Sequence, residues 1–172
     1  PFKQTGAFVV CVCEEDKPKL QELYDKGVQN GVKGLRILDK EETHEMEPNL
    51  TDQVVAALYA PTSGIVCPFN MTIAFAENAV ENGVEFKLNT SVENISKTEN
   101  GYLVETSKGT FETKAVVNAA GVYADEIHNM VSEDKLKIVA RRGDYCLLDK
   151  TAGNHVSRTI FPLPNEFGKG VL

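Results

Sequence analysis

Apolar and polar positions follow two periods along the chain, and their order predicts its elements. Residues 6–13 form an apolar run rich in Val and Phe, which predicts a buried strand. Glu14-Glu15-Asp16 and Lys17-Pro18 then supply acids and an early proline, the residues that favour a helix start. Leu20, Leu23, Tyr24 and Val28 recur at helical spacing, and Gly27 and Gly31 bracket the end. Leu35-Arg36-Ile37-Leu38 predicts a short strand. Asp39 can cap a short helix over 40–46, with Glu42 as its capping partner three positions on. Glu47-Pro48-Asn49 ends that helix, because a residue before proline avoids helical angles.

A second apolar run covers 54–60, Pro61-Thr62-Ser63-Gly64 turns the chain, and Ile65-Val66-Cys67 follows. Pro68 opens a helix over 69–82 whose apolar stripe is Phe69, Ile73, Ala76, Ala79 and Val80, and Gly83 stops it. Val84-Glu85-Phe86-Lys87-Leu88 alternates as a half-buried strand does. Residues 91–97, 101–107 and 110–113 read as a three-stranded meander, turned at Glu99-Asn100-Gly101 and Lys108-Gly109. It feeds a strand at 114–118, a small-residue turn and an amphipathic segment to about Met130. After a polar stretch, 138–149 predicts a long strand. Residues 151–154 form a loop, and Thr159-Ile160-Phe161 begin a last strand broken by Pro162 and Pro164.

This order implies an α+β fold. Strands 6–13, 54–60, 138–148 and 159–161 are expected to share one mixed, largely antiparallel sheet, since long apolar strands need a common layer. The meander is expected to pack apart, beside the 114–118 strand.

Charge and composition narrow the partners. Asp and Glu number 25 against 18 Lys and Arg, a net charge of -7, which disfavours a nucleic-acid partner because phosphate backbones want a basic face. No apolar run approaches the roughly 20 residues of a membrane span, and no signal peptide opens the chain. The chain starts at Pro1-Phe2 and stops at Gly170-Val171-Leu172, inside what reads as a strand, so a stretch of a longer protein is expected. Cys11, Cys13, Cys67 and Cys146 complete no metal-ligand set and read as buried, reduced core thiols, which fits a cytoplasmic location. His44, His128 and His155 lie among polar residues, in no triad-like or metal-like setting.

The chemistry of interest centres on residues 114–125, reading KAVVNAAGVYAD. Gly121 permits backbone angles that a Cβ resists. Ala119 and Ala120 keep the surface low, so a flat ring or a pyrophosphate could approach main-chain N–H groups at a helix start. A plain strand-to-helix turn of any α/β core accounts for the same residues equally well.

Four stretches, in order, carry a family resemblance. They are Glu47-Pro48-Asn49-Leu50; Pro61-Thr62-Ser63-Gly64-Ile65-Val66 with its helix; and Asn89-Thr90-Ser91-Val92-Glu93-Asn94-Ile95 leading into Val117-Asn118-Ala119-Ala120-Gly121. The fourth is Arg141-Arg142-Gly143-Asp144-Tyr145 with Phe161-Pro162-Leu163-Pro164 and Gly168-Lys169-Gly170-Val171. Together they resemble FAD-dependent oxidoreductases of the D-amino-acid oxidase superfamily, nearest the glycerol-3-phosphate dehydrogenase and L-2-hydroxyglutarate oxidase branch.

The family's N-terminal G-x-G-x-x-G fingerprint is absent, so the chain resembles the middle of such an enzyme. The resemblance implies FAD in the intact enzyme. No flavin is expected on the isolated chain, which is then inactive. It implies that 1–88 is the first part of a substrate-binding region, with the helix over 68–83 leading to the FAD region. Residues 89–131 are then FAD-domain-like, and 132–172 are the second substrate-binding part. The resemblance places Val92, through its backbone, and Ala119, Ala120 and Gly121 against the cofactor. Arg141, Arg142 and Tyr145 fall near a small anionic substrate, and strand alternation lets only one arginine face it. The plain alternatives are packing residues and surface charge, and nothing singles out a catalytic base.

Oxidation of glycerol-3-phosphate is the first functional expectation. An L-2-hydroxy acid or an amino acid is the alternative substrate, and a non-catalytic α+β binding module is the alternative class. A peripheral membrane or electron-acceptor partner is compatible with the resemblance.

Overall fold

The computed structural model describes residues 2–164. It divides into two compact units, one from residues 2–78 and 147–164, the other Ala79–Cys146.

The first unit is built on a four-stranded mixed sheet. Its strands are β2 (Ala7–Cys11), β3 (Arg36–Asp39), β4 (Ala56–Ala60) and β9 (Thr159–Pro162), in the order β3-β4-β2-β9. Strand β2 pairs antiparallel with β4 and parallel with β9, so Phe8 lies opposite both Tyr59 and Ile160. Pro162, which cannot donate to a ladder, sits on the edge strand, where proline is tolerated. A separate ladder joins β1 (Lys3–Gln4) to β5 (Gly64–Ile65).

Alternation along β2 divides the core in two. Phe8 and Val10 bury one side with Leu38, Val54 and Ala57, and Met46, Leu50, Tyr59 and Ile160 pack around them. Cys11 buries the other with Leu20, Ala56 and Leu58. Helix α1 (Lys17–Gln29) brings Leu20, Leu23 and Tyr24 to that second side.

Helix α2 (Lys40–Met46) begins as its sequence requires. The Asp39 carboxylate accepts from the Glu42 N–H at 2.8 Å, and the Glu42 carboxylate accepts from the Asp39 N–H at 3.4 Å. These two bonds satisfy donors that the first helical turn leaves open.

The return of the chain at 155–162 is fixed by a buried charge. Glu47 is 2% exposed. Its carboxylate accepts from the Ser157 N–H at 3.1 Å and from the Ser157 hydroxyl. Arg158 Nε lies 2.7 Å from Glu47 Oε1. The guanidinium stands 4.7 Å above the Phe8 ring and 5.5 Å from the Tyr59 ring, two rings that meet edge-on. Asn49 donates to the His155 carbonyl at 2.8 Å and extends the same seam.

Helix α3 (Pro68–Glu81) ends at Gly83, whose φ is +87°. The Val84 N–H returns to the Ala79 carbonyl at 3.0 Å and closes the last turn.

The second unit holds an antiparallel meander of β6 (Val92–Thr98), β7 (Gly101–Thr106) and β8 (Gly109–Thr113). A Cβ at Gly101 would meet the Thr113 carbonyl oxygen at 2.1 Å, so the tight turn requires glycine. Helix α4 (Ala124–Val131) lies against β6. As expected, the meander forms a sheet of its own.

Three expected strands are not formed among the described residues. Segments 84–88, 115–118 and 138–148 join no ladder, and Leu88 already belongs to a turn. In particular, 138–148 does not join the large sheet. Strand identity requires a partner's N–H and C=O groups, and no described segment pairs with these. The expected loop at 151–154 begins as a 3₁₀ turn, Lys150–Ala152, and the Gly168-Lys169-Gly170-Val171 stretch lies outside the described residues.

Two outcomes follow from these contacts. Glu47→Ala strands a buried guanidinium and the Ser157 N–H, so a loss of roughly 3–5 kcal/mol is expected, as when one partner of a buried pair is removed. Urea unfolding checks this, and a loss under about 1 kcal/mol would assign the cluster no more than a surface pair's worth.

The second outcome concerns pH. The Asp149 carboxylate accepts from the Thr151 N–H at 2.9 Å and its hydroxyl at 2.8 Å, and these bonds hold its pKa below the usual carboxylate range. Its contribution is therefore complete above the unfolded carboxylate value of about 3.9 and is lost as pH falls through the lower folded value. Asp149→Asn keeps an acceptor but removes the titratable carboxyl group. The stability difference between the two proteins should narrow as pH drops from 5 toward about 2, and a difference constant with pH would contradict the assignment.

Candidate functional site

The second unit carries the small-residue turn. Ile95 of β6 is buried, and Ile127, His128 and Val131 of α4 join Ile95, Tyr102, Val116 and Asn118 around a cleft of about 190 Å³. Val116 thus faces the packed side, and its neighbour Val117 is 91% exposed. Strand-like alternation persists at 116–117 although no ladder is present.

Asn118 is the strut of the turn that follows. Its Oδ1 accepts from the Ala120 N–H at 3.2 Å, and its Nδ2 donates to the Ala124 carbonyl at 2.7 Å. Gly121 takes φ +59°, a left-handed value that explains the choice of glycine, and a Cβ there would meet no atom within 4 Å. Ala119, Ala120 and Gly121 are all exposed.

A short 3₁₀ turn, Gly121–Tyr123, then leads into α4. Both ends of α4 are tied to the segment that follows it. Asn129 exchanges two bonds with Leu136, at 2.8 and 2.9 Å, and Asp125 accepts from the Ile138 N–H at 2.8 Å.

Val92 opens β6, where it pairs with Thr106 ahead of a bulge. It lines a second cleft of about 370 Å³ with Glu85, Lys87, Thr90, Thr106 and Phe111. The two cofactor candidates therefore stand at different openings: Val92 at this one, and Ala119–Ala120–Gly121 next to Asn118 at the first.

Arg141, Arg142 and Tyr145 lie in the exposed stretch after α4, which carries no regular secondary structure. Arg142 Nε pairs with Asp144 Oδ1 at 3.0 Å in solvent, and Tyr145 is 98% exposed. The alternation argument that sends one arginine inward presupposes a strand, and 138–148 is not one among the described residues.

The turn fits a flat cofactor through shape. Two methyl side chains and an unfilled Cβ position leave main chain open to a ring. The Ala120 N–H is already taken by Asn118, so that amide is not a free donor. Sequence reasoning missed Asn118. The available signal was an Asn two residues before an amide that needs an acceptor, the pattern of an Asx turn.

The expectation of buried core thiols holds for Cys11 alone: Cys13 is half-buried, and Cys67 and Cys146 lie on segments outside the packed sheet and are exposed. Cys13 donates to Asp16, which raises its thiol pKa above the ordinary value, and no disulfide occurs among the described residues. No group of three or more His, Cys, Asp or Glu among them could hold a metal, and no helix among them is long and apolar enough to cross a membrane.

Comparison with known proteins gives this geometry a context. A glycerol 3-phosphate dehydrogenase of Caloramator mitchellensis is 52% identical over all 172 residues, which make up 36% of that protein. An L-2-hydroxyglutarate dehydrogenase of Indibacter alkaliphilus is 33% identical over 96% of the chain and 41% of its own length. The chain thus spans well under half the length of these curated relatives. Among solved structures, the dithionite-reduced L-α-glycerophosphate oxidase of Mycoplasma pneumoniae with FAD bound superposes with a TM-score of 0.79. It is 28% identical over 99% of this chain and 46% of that one. The family model described as FAD dependent oxidoreductase matches residues 1–172, and the chain belongs to that family.

Proposed function

We propose that the complete protein is an FAD-dependent dehydrogenase of a small anionic hydroxy substrate, with glycerol 3-phosphate as that substrate. The observation that carries the reading is the 52% identity to a glycerol 3-phosphate dehydrogenase across every residue of the chain. Oxidation of L-2-hydroxyglutarate is the second reading, favoured by the 33% identity over nearly the same span. Both substrates carry an anionic group and a secondary hydroxyl, so they ask similar things of a site.

In this reading residues 89–131 border the cofactor, and 1–88 and 132–172 belong to the substrate-binding region. Val92 meets the cofactor through main chain, which leaves its side chain free to pack. Ala119, Ala120 and Gly121 offer a low, methyl-lined surface held in shape by Asn118. Bound FAD supplies the hydride acceptor for the carbon that bears the hydroxyl. Arg141 or Arg142 holds the substrate's phosphate or carboxylate, since a guanidinium matches either in a two-point contact. Tyr145 stands three to four residues on and can share that opening. With a net charge of -7, a local cation is needed to draw an anion in. The free thiols fit work in a reducing cytoplasm.

The test uses the complete protein. Its flavin absorbance should bleach on anaerobic addition of glycerol 3-phosphate and stay unchanged with L-2-hydroxyglutarate. The reverse pattern selects the second reading, and no bleaching by either removes both. Arg141→Ala and Arg142→Ala should then differ. Losing a charge-assisted contact costs roughly 1.5–3 kcal/mol, or about one to two decades in kcat/KM, and the loss should appear in KM for one variant only. Unchanged turnover in both variants would leave the arginines as surface charge.

A further inference from the structure

Helix α3 carries two apolar rows. Phe69, Ile73, Ala76 and Val80 recur at helical spacing on one side. Met71 and Phe75 start two residues later, which at 3.6 residues per turn is roughly 200° around the axis. Both rows face water in this chain: Phe69 is 78% exposed and Phe75 68%, and Met71, Ile73 and Val80 are exposed too. No Asp, Glu, Lys or Arg occurs from Pro68 to Ala76, so neither side is built for solvent. A helix apolar on one stripe packs on one layer, and a helix apolar all round is buried.

The next segment repeats the anomaly independently. In 84–88 the apolar Val84, Phe86 and Leu88 are exposed along with the charged Glu85 and Lys87, so an alternating segment buries neither side. Val117 likewise points an apolar side chain into water.

We propose that α3 is an internal helix of the complete protein, covered on both faces by polypeptide of that protein lying outside residues 1–172. The matched relatives have room for such coverage, since this chain accounts for 36% and 41% of their lengths. Other occupants fit poorly. Copies of this chain seated on opposite faces of one helix make head-to-tail contacts that tend to run on as open filaments. A helix of 14 residues is about 21 Å long, short of the roughly 30 Å hydrocarbon core of a bilayer.

The experiment labels each face in the complete protein. In a Cys67→Ser background, Phe69→Cys and Phe75→Cys report one row each, with a maleimide as probe and peptide mass spectrometry as readout. Both positions should react about 100-fold more slowly than in denaturant, as expected for sites opened only by unfolding. Denatured-like labelling at either position overturns the two-sided burial. Protection that disappears on dilution assigns the cover to a second copy and overturns the stated occupant.

Because either cysteine could disturb folding, hydroxyl-radical footprinting of the unsubstituted protein serves as the second measurement. Oxidation of Phe69, Met71 and Phe75 should be suppressed together. Suppression of one row without the other contradicts the proposal.

Discussion

A carboxylate withdrawn from water must be met by donors and by opposite charge, and Glu47 sets that demand at the centre of the first unit. Everything that meets it comes from 110 or more residues further along: the Ser157 N–H and hydroxyl and the Arg158 guanidinium. Burial of Glu47 and docking of β9 beside β2 are therefore one event. Arg158 is itself desolvated, and the Phe8 and Tyr59 rings supply the faces over which its charge lies. The pair is expensive to break, which differs from being worth much to make, since an apolar replacement of both partners can be neutral. What it fixes is register. Strand β9 runs parallel to β2 and has no hairpin to align it, and the seam from Asn49–His155 to Glu47–Arg158 supplies the alignment.

Features set by near neighbours in sequence were legible before the structure. The Asp39–Glu42 capping box, the Gly83 stop, the three meander strands and the helix after Pro68 each depend on residues a few positions apart. Features set by distant partners were not. The β1–β5 ladder joins residues some 60 apart and has only two residues on each side. The Glu47–Arg158 pair joins two residues that look like ordinary surface charges when read singly. The unladdered segments failed in the opposite sense. Their composition is that of strands, and Val116 and Val117 still point to opposite sides, but hydrogen-bonded strand identity belongs to a pair of segments and not to one.

The family-like stretches acquire a physical reason here. Glu47-Pro48-Asn49-Leu50 and the residues leading into Phe161-Pro162-Leu163-Pro164 are far apart in sequence and meet at the buried charge. For the first of these stretches, folding alone gives its residues a reason, with no chemistry required. Leu50 packs on the Phe8 cluster and Pro48 ends α2, so each residue of that tetrapeptide has a structural role in the first unit.

The turn at Ala119–Gly121 calls for a different account, because its residues do almost nothing for this chain. They are exposed, their side chains are methyl groups or absent, and no atom of the described residues fills the open Cβ side of Gly121. Asn118 nevertheless spends both ends of its amide on holding that shape, and one of them occupies the Ala120 N–H. A ligand there would meet a preformed surface on which the Ala120 N–H is already committed to Asn118. For an anionic group on a ligand, Arg142 is suited in one respect. Its pairing with Asp144 is fully in solvent, and an exposed pair is worth at most about 1 kcal/mol. The guanidinium can therefore leave Asp144 for a phosphate or carboxylate at small cost, whereas Arg158, locked over two rings against Glu47, cannot.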